Sequence, residues 1–598
     1  MKKLDNNYLK PSKEQINNLL ENYQARRYKD VEKLSISITR EFPEHPFAWK
    51  VLAVVLKLTG KLSESLIPSQ KSVQLEPNDA EAHNNLGIIL QELNKLDEAE
   101  VNLRRAIALK PNYAEAHYNL GITLKELGKL KEAEESYKQA IILKPNYAEA
   151  YNNMGELLKQ PGRLEEALVS YNKAIEIKIN YSEAYSNKNF CLNYSSLWSP
   201  LFIYKQHLEF EKQFGRFKVA SSLNLPLKKI SGERIRIGYV SADFKIHSVA
   251  FFFEPLLNNH SSDIVETFCY YNNDVIDTTT KRLMTTCDHW RPIFGINDEN
   301  VINLIKKDKI DILVDLSGHT AGNRLLVFTQ KPSPIQVTWL GYPNTTGLSS
   351  IDYRLTDIIA DPIGEADELN SETLLRLPNG FQCYQGNEDI PVSIELPQKR
   401  LEKITFGSFN NISKITTTVI KTWSKILLAI PTSRLVLKLP KLDDNKSYYN
   451  ELFIQEGILK ERIEFYQPTP SIEEHLSLYN TIDICLDPFP YNGATTTCEA
   501  LWMGVPVITL LGNNHVGRVG ASILTNIGLT DFIAHDIKDY IDLAVKMSAN
   551  TKVITELRAG LRERMKKAPL CDAHSFARDI EMVYQDMWSK YQLKVSIK

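Results

Sequence analysis

The chain lacks any arrangement of cysteines that could staple it. Its seven, at 191, 269, 287, 383, 485, 498 and 571, are scattered, with no CxxC pair. That spacing suits neither a disulfide framework nor a zinc site and reads as reduced thiols in a cytoplasm. There is no excess of charge: the formal net charge is −2 at pH 7. Nothing global therefore points to nucleic acid, and no polybasic run points to an anionic membrane. No uninterrupted apolar run reaches the length of a bilayer span. The opening "MKKLDNNYLKPSKEQ" has two lysines but no apolar core after them, so it does not read as a secretory signal. GxxxxGK[ST] and GxGxxG are both missing, which leaves ATPase and NAD chemistry without support. HxxxH and HExxH are missing too, so no metal is expected.

What is present is an ordinary globular balance, 43% hydrophobic and 24% charged, over 598 residues. That length calls for two to four domains. The first third is periodic. "AEAHNNLGIILQELNKLDEAEVNLRRAIALKPN" from Ala80, "AEAHYNLGITLKELGKLKEAEESYKQAIILKPN" from Ala114 and "AEAYNNMGELLKQPGRLEEALVSYNKAIEIKIN" from Ala148 start 34 residues apart. Gly87, Gly121 and Gly155 fall in step, as do Pro43, Pro77, Pro111 and Pro145. This is the tetratricopeptide period, with two antiparallel helices per unit. The clear repeats cover 78–179, a degenerate one precedes them with Trp49 in the position of His83, and a partial one follows at 182–190. The solenoid is assigned to 1–187. Asn85, Asn119, Asn153 and Asn187 form a column at the same spacing. Stacked amides of this kind could clamp the backbone of an extended peptide acceptor along the groove. Such repeats can also bring copies together as a homo-oligomer, although no apolar stripe demands it.

A connector at 188–230, with Trp198 and Pro200, leads to a different texture. Short β-rich runs at 235–244, 265–271, 310–319, 335–343 and 352–361 alternate with helical patterns. After a linker-like stretch at about 384–400 the alternation restarts, at 404–411, 433–440, 462–468, 482–489 and 505–512. The fold class expected is α/β behind an all-α solenoid, with two doubly wound lobes at 231–395 and 396–598. Ligands of such sheets bind beyond the carboxyl ends of the strands.

Several residues there carry candidate chemistry. In "NGATTTCEA" (492–500), three consecutive β-branched hydroxyls suit a helix start better than a helix interior. Thr495, Thr496 and Thr497, entered through Gly493, could wrap a phosphate, and Glu499 could hold a ribose. Lys414, in "SFNNISKIT", could neutralise a diphosphate leaving group, and Asn411 could supply an amide to it or to the base. His247, in "SADFKIHSVA", could position an acceptor hydroxyl or work in acid–base chemistry, with Asp243 close in sequence. His319 and Arg324 lie on a second loop, and His475, His515 and Arg518 lie near later strand ends.

"GYVSADFKIHS", "DILVDLSGHTAGNR", "PIQVTWLGYPNTTGLSSIDYRLTD", "FGSFNNISKIT" and "NGATTTCEALWMGVP" resemble the motifs of the nucleocytoplasmic protein O-glycosyltransferases, the O-GlcNAc transferases and their SPINDLY relatives of glycosyltransferase family 41. The resemblance spans essentially the whole chain and implies a GT-B catalytic region. It implies metal-independent, inverting transfer of a sugar from UDP-GlcNAc or GDP-fucose to Ser or Thr hydroxyls of cytoplasmic proteins. No resident cofactor, nucleic acid or membrane enters that picture. By the same resemblance Lys414 matches the lysine that stabilises the leaving diphosphate. Asn411 stands where O-GlcNAc transferases have a glutamine contacting the nucleotide. Thr495 and Thr496 match the phosphate-binding threonines, Glu499 an acidic ribose-binding position, and His247 a histidine on the acceptor side. Gly493, Thr497, His475 and Arg518 are placed with the donor, and His319 with the acceptor. O-GlcNAc transferases have His before the paired threonines where this chain has Ala494, and "GHTA", "GYPNTTGL" and "GSFNN" look more like SPINDLY.

Overall fold

The computed structural model describes residues 10–215, 233–439 and 443–596, the side chains of 443–445 excepted. The part of the 188–230 connector beyond 215, and the first residues of the lobe expected from 231, lie outside the described residues. The chain divides into two compact units, one running to Leu157 with Asp443–Asn445 and the other containing the rest.

The first unit is built of antiparallel helix pairs: Lys13–Gln24 with Tyr28–Glu41, Pro46–Leu58 with Leu62–Leu75, Ala80–Glu92 with Leu96–Leu109, and Ala114–Leu127 with Leu130–Leu143, followed by Ala148–Leu157. The repeat glycines explain the pairing. A Cβ at Gly121 would lie 2.5 Å from the Tyr137 ring, so the helices of one repeat close only over a bare backbone. The Trp49–His83 equivalence also has a physical basis. Trp49 Nε1 donates to Pro43 O at 2.8 Å, and the imidazole Nε2 atoms of His83 and His117 reach Pro77 O at 3.1 Å and Pro111 O at 3.0 Å. In these three repeats a ring N–H covers the carbonyl of the proline that closes the preceding helix, whereas the repeat from Ala148 has Tyr151 at that position.

The compact unit break falls at Leu157, ahead of the solenoid end read at 187. Repeat-like helices Leu164–Ile177 and Ser182–Leu192, with Pro200–Phe214, belong to the second unit. Pro200–Phe214 is capped by Ser199 and has Pro200 in its first turn, where the missing N–H costs nothing. It docks through buried Ile203, His207 and Phe210, and His207 Nε2 lies 2.6 Å from Tyr342 Oη.

Two all-parallel sheets follow. The first has strands β1 Ile235–Ser241, β2 Val265–Tyr271, β3 His289–Pro292, β4 Ile312–Asp315, β5 Ile335–Thr338, β6 Tyr353–Asp357 and β7 Thr373–Leu377, in the order β3-β2-β1-β4-β5-β6-β7. The second has β8 Thr405–Ser408, β9 Arg434–Lys438, β10 Ile463–Tyr466, β11 Ile484–Leu486, β12 Val507–Leu510 and β13 Ile533–Ala534, in the order β10-β9-β8-β11-β12-β13. Their central strands are buried on both faces, as helix-covered parallel sheets require. The strand order of each sheet reverses once, between β1 and β4 in the first and between β8 and β11 in the second. The loops leaving those four strands frame a doubly wound fold's ligand crevice.

The long helix Ala573–Ser596 leaves the second lobe and returns to the first, which qualifies the boundary 396–598. Phe576 packs against Trp339 with ring centroids 6.0 Å apart. Glu581 accepts from Ser261 N at 2.7 Å and lies 3.0 Å from His260 Nδ1, while Tyr239 Oη lies 2.8 Å from His260 Nε2. A buried polar network therefore fastens the end of the chain under β1.

Candidate active site

The loops after β8 and β11 meet at the second lobe's switch point. Asp487, the residue directly after β11, is buried. Its Oδ1 accepts from Gly493 N at 2.6 Å and its Oδ2 from Thr509 Oγ1 at 2.7 Å, so the carboxylate folds the intervening loop back on the strand end. The loop delivers the chain to helix Thr495–Trp502. The helix starts at the threonine run, with no side-chain cap from Ala494. Cys498 N is the first amide to bond back, to Ala494 O at 3.0 Å, and the amides of Thr495–Thr497 have no partner among the described residues. Thr496 Oγ1 donates to Asn410 Oδ1 at 2.9 Å, whereas the Thr495 and Thr497 hydroxyls are buried without one. Open N–H groups, two idle hydroxyls and the positive end of a helix dipole make a seat for an anion.

Lys414 comes from the other loop, at the end of the short turn Ile412–Lys414. Its Nζ donates to Asn492 O at 2.8 Å and sits 3.9 Å over the Tyr491 ring. The ammonium is thus held by residues three and four positions before Thr495 and faces inward. Burial pulls its pKa down to about 8, with Asp487 acting the other way. An incoming diphosphate would raise that pKa and hold the ammonium charged. Both groups line a cavity of about 440 Å³, whose opposite wall is the first lobe's switch point, with Asp243 and His247 after β1 and Thr320 and Ala321 after β4.

The sequence-derived candidates fall into three groups. Lys414, Thr495, Thr496, Asn411 and His247 all line the central cavity. Gly493 underlies it, since a Cβ there would lie 2.7 Å from both Thr496 Oγ1 and Thr497 Oγ1. Within this group Asn411 spends its side-chain oxygen on Ser413 N at 3.0 Å, and the neighbouring Asn410 turns its amide to the helix tip. His247 caps helix Ser248–Asn259, its Nδ1 accepting from Val249 N at 3.2 Å.

Glu499 and His475 form a second group. Glu499 Oε2 lies 3.0 Å from His475 Nε2 and accepts from Tyr479 Oη at 3.2 Å, and His475 Nδ1 is 2.6 Å from Lys438 Nζ. Glu499 opens on an adjoining cavity, also about 440 Å³, that includes Tyr384, Gly386 and Asn387. Thr496, which lines the central cavity, and Glu499 lie on one helix, so the two cavities flank a single helix tip.

The third group does not join the site. His319 is buried and bonds Ser186 Oγ at 3.0 Å and Thr346 O at 2.9 Å, with Phe210, His207 and Tyr342 around its ring. It is a core residue that ties the helical segment to the first lobe, not an acceptor-side group, and burial drives its pKa well below the ordinary histidine value. Arg518 donates to Ile359 O at 2.6 Å and Gly512 O at 3.0 Å and lines a separate cavity of about 500 Å³. Arg324 is bound to Asp298, Asn272 and two carbonyls.

The asparagine column is half-buried throughout. Asn119 Nδ2 donates to Asn84 Oδ1 at 2.9 Å and Asn153 Nδ2 to Tyr118 Oη at 3.1 Å, so these amides also join successive repeats. Asn187 falls in the second unit.

Sequence reasoning passed over Asp487, Asn410, Asn492 and Tyr491. An acid directly after a buried strand was the available signal for the first. Asn492 reads as a turn residue, yet it is buried and is bonded through its backbone to Lys414 and to Val516 O. Among the described residues no group of three or more His, Cys, Asp or Glu is placed to hold a metal ion.

Two all-parallel doubly wound lobes whose switch points open on one cavity, with a cation and a helix tip on one wall, define a glycosyltransferase architecture of the GT-B class. Residues 217–390 and 387–580 match glycosyl transferase family 41, and residues 114–147 and 148–181 match tetratricopeptide repeats. The chain belongs to glycosyltransferase family 41, in its branch of O-GlcNAc transferase and SPINDLY proteins with N-terminal repeats. A solved lysine-to-methionine mutant of the Thermobaculum terrenum O-GlcNAc transferase superposes with a TM-score of 0.77 at 32% identity, over 86% of this chain and 98% of that one. Over 369 residues the chain is 40% identical to the tomato (Solanum lycopersicum) protein named probable UDP-N-acetylglucosamine–peptide N-acetylglucosaminyltransferase SPINDLY, covering 61% of this chain and 40% of that protein. The Arabidopsis thaliana protein of the corresponding name ending in SEC is 30% identical over 392 residues, 63% of this chain and 39% of its own length. The chain thus matches about two fifths of the length of these curated relatives. No helix among the described residues is long and apolar enough to cross a membrane.

Proposed function

We propose that the chain is a protein O-glycosyltransferase that moves a sugar from UDP-GlcNAc or GDP-fucose to Ser or Thr hydroxyls of cytoplasmic proteins, with inversion and without a resident metal. The observation that carries this reading is the Lys414 ammonium fixed on Asn492 O beside the uncapped threonine helix, at the second lobe's switch point. The diphosphate lies on the amides of Thr495–Thr497 and the Thr495 hydroxyl, countered by Lys414. The nucleoside extends toward Glu499, whose carboxylate, steadied by His475 and Tyr479, receives ribose hydroxyls. The sugar occupies the central cavity, and the acceptor hydroxyl arrives from the side of His247. Because His247 Nδ1 accepts a backbone N–H, its neutral ring carries the proton on Nε2 and can donate to the acceptor. As the acceptor oxygen bonds to the anomeric carbon, the bond to the diphosphate breaks. The preorganised cation and helix tip then stabilise the charge that builds on the leaving oxygen. The repeats hold the protein acceptor, with the Asn85, Asn119 and Asn153 column among its contacts.

The names of the relatives favour N-acetylglucosamine, while Ala494 in place of histidine favours a SPINDLY-type donor. Thermal-shift titration with UDP, GDP, UDP-GlcNAc and GDP-fucose separates them, since only a ligand of the native state raises Tm. Intact-mass analysis of a co-expressed protein then tests the acceptor. A sugar-sized mass gain supports the proposal. Saturable donor binding without nucleotide release would instead make the chain a sensor, and sugar found only on a glycan would replace the protein acceptor.

A further inference from the structure

Two histidines line the central cavity, and their rings are committed in opposite senses. His247 uses Nδ1 as an acceptor, which leaves it a donor at Nε2. His515, in the turn His515–Gly517 after β12, is buried, and its Nδ1 lies 2.7 Å from Asp361 Oδ2. Asp361 also accepts from Thr356 Oγ1 at 2.5 Å, and its pKa is held far below the carboxylate range by His515 and Arg354. A carboxylate in that position accepts a hydrogen bond from Nδ1–H and so leaves the lone pair on Nε2, which has no partner among the described residues. The ring packs on Phe381 at 5.0 Å and lines both the central cavity and the one beyond it. His515 is also close to the diphosphate seat. Its neighbour Val516 accepts from Asn492 N at 3.1 Å, and Asn492 O is the carbonyl that holds Lys414.

We infer that His515 is the general base of the transfer, taking the proton of the acceptor hydroxyl on Nε2, with Asp361 as the positioning residue that fixes its tautomer. This rests on the glycosyl-transfer reading above. The hydroxyl oxygen bonds to the anomeric carbon, the diphosphate leaves with the electron pair of the broken bond, and the hydroxyl proton passes to Nε2. The imidazolium formed is stabilised by the Asp361 carboxylate 2.7 Å away. The charged groups around the ring are Asp361 after β6, Arg354 and Asp357 within β6, and Arg518 on the adjoining turn, which donates to Ile359 O and Gly512 O. Burial and Arg354 outweigh the two acids and lower the pKa of His515, so the ring is neutral and ready to accept a proton at pH 7.

The test is the pH profile of kcat/KM for protein glycosylation by the full chain, with donor affinity measured in parallel. In the wild type the rate falls as pH drops through the histidine range, with an apparent pKa at or below about 6.5. His515→Gln loses about 100-fold or more in kcat and loses that acid limb, while the affinity for UDP or GDP stays within about threefold. Asp361→Asn loses about tenfold or more and displaces the limb. His247→Gln slows the reaction but keeps it. A wild-type profile with no acid limb overturns the inference whether or not the variants fold. So does an acid limb that survives in His515→Gln, or a defect confined to nucleotide affinity, which would make His515 a donor contact. Transfer by the wild type with any of these results sinks only the base. Absence of transfer from every donor sinks the reading beneath it as well.

Discussion

Gly493→Ala offers a sharp test of how the diphosphate seat is built. Gly493 does not have a positive φ, so the cost of a side chain there is space and not backbone strain. A Cβ would lie 2.7 Å from Thr496 Oγ1, 2.7 Å from Thr497 Oγ1 and 2.9 Å from Asn410 Oδ1, all inside normal contact. Thr497 Oγ1 has no partner and can turn away for about 0.5–1.5 kcal/mol of rotamer strain. Thr496 cannot move without giving up its 2.9 Å hydrogen bond to Asn410, worth about 1 kcal/mol. Gly493 cannot retreat either, because its N–H is bound to Asp487 at 2.6 Å. Overpacking of this kind costs about 1–3 kcal/mol. The larger effect falls on function, since displacing the first turn by about 1 Å misplaces the diphosphate and is worth about 100-fold in rate. Urea unfolding, calorimetric titration with GDP and UDP, and kcat/KM for transfer measure the three consequences. A Gly493→Ala protein with wild-type stability and nucleotide affinity within twofold would refute this packing of the site.

Nucleotide affinity depends on pH through Lys414. In the free protein the ammonium titrates at about 8, and a bound diphosphate raises that pKa, so above pH 8 binding must take up a proton. The Kd for GDP or UDP therefore rises by up to about tenfold per pH unit above 8, and calorimetry on Lys414→Met gives a flat line over the same range. Glu581→Ala strips partners from His260 and the Ser261 amide in a buried network. It costs about 3–5 kcal/mol, and hydrogen exchange in helix Ala573–Ser596 rises ahead of exchange in β8 and β11.

The sequence showed the architecture where burial is two-sided and the period long. The 34-residue repeat and the central strands of both sheets leave continuous patterns, and the threonine run marked the helix start at Thr495 to the residue. Of the four edge strands β10 was read at 462–468, and β3, β7 and β13 escaped. β3, "HWRP", has no buried residue, and β13 is two residues long, so neither leaves an apolar run to read. Histidines on strand-end loops look alike in sequence, and tertiary partners alone separate them. His319, after β4, is enclosed by Phe210, His207 and Tyr342, while His515, after β12 in the second lobe, meets a carboxylate from the first. Asn411, drawn from a motif, lines the central cavity but spends its side-chain oxygen on a local turn to Ser413 N, and the amide bonded to the helix tip is that of its neighbour Asn410. The return of the last helix to the first lobe depends on contacts over 300 residues apart, such as Tyr239 with Tyr584, which no local pattern encodes.

The central claim is that Lys414 and the threonine helix tip act on the same pair of phosphoryl groups during sugar transfer. Single-turnover transfer at saturating donor, compared between wild type and Lys414→Ala, tests it most directly. The account predicts a rate lower by about 100-fold or more, with a much smaller loss in nucleotide affinity. Transfer at the wild-type rate by Lys414→Ala would contradict it.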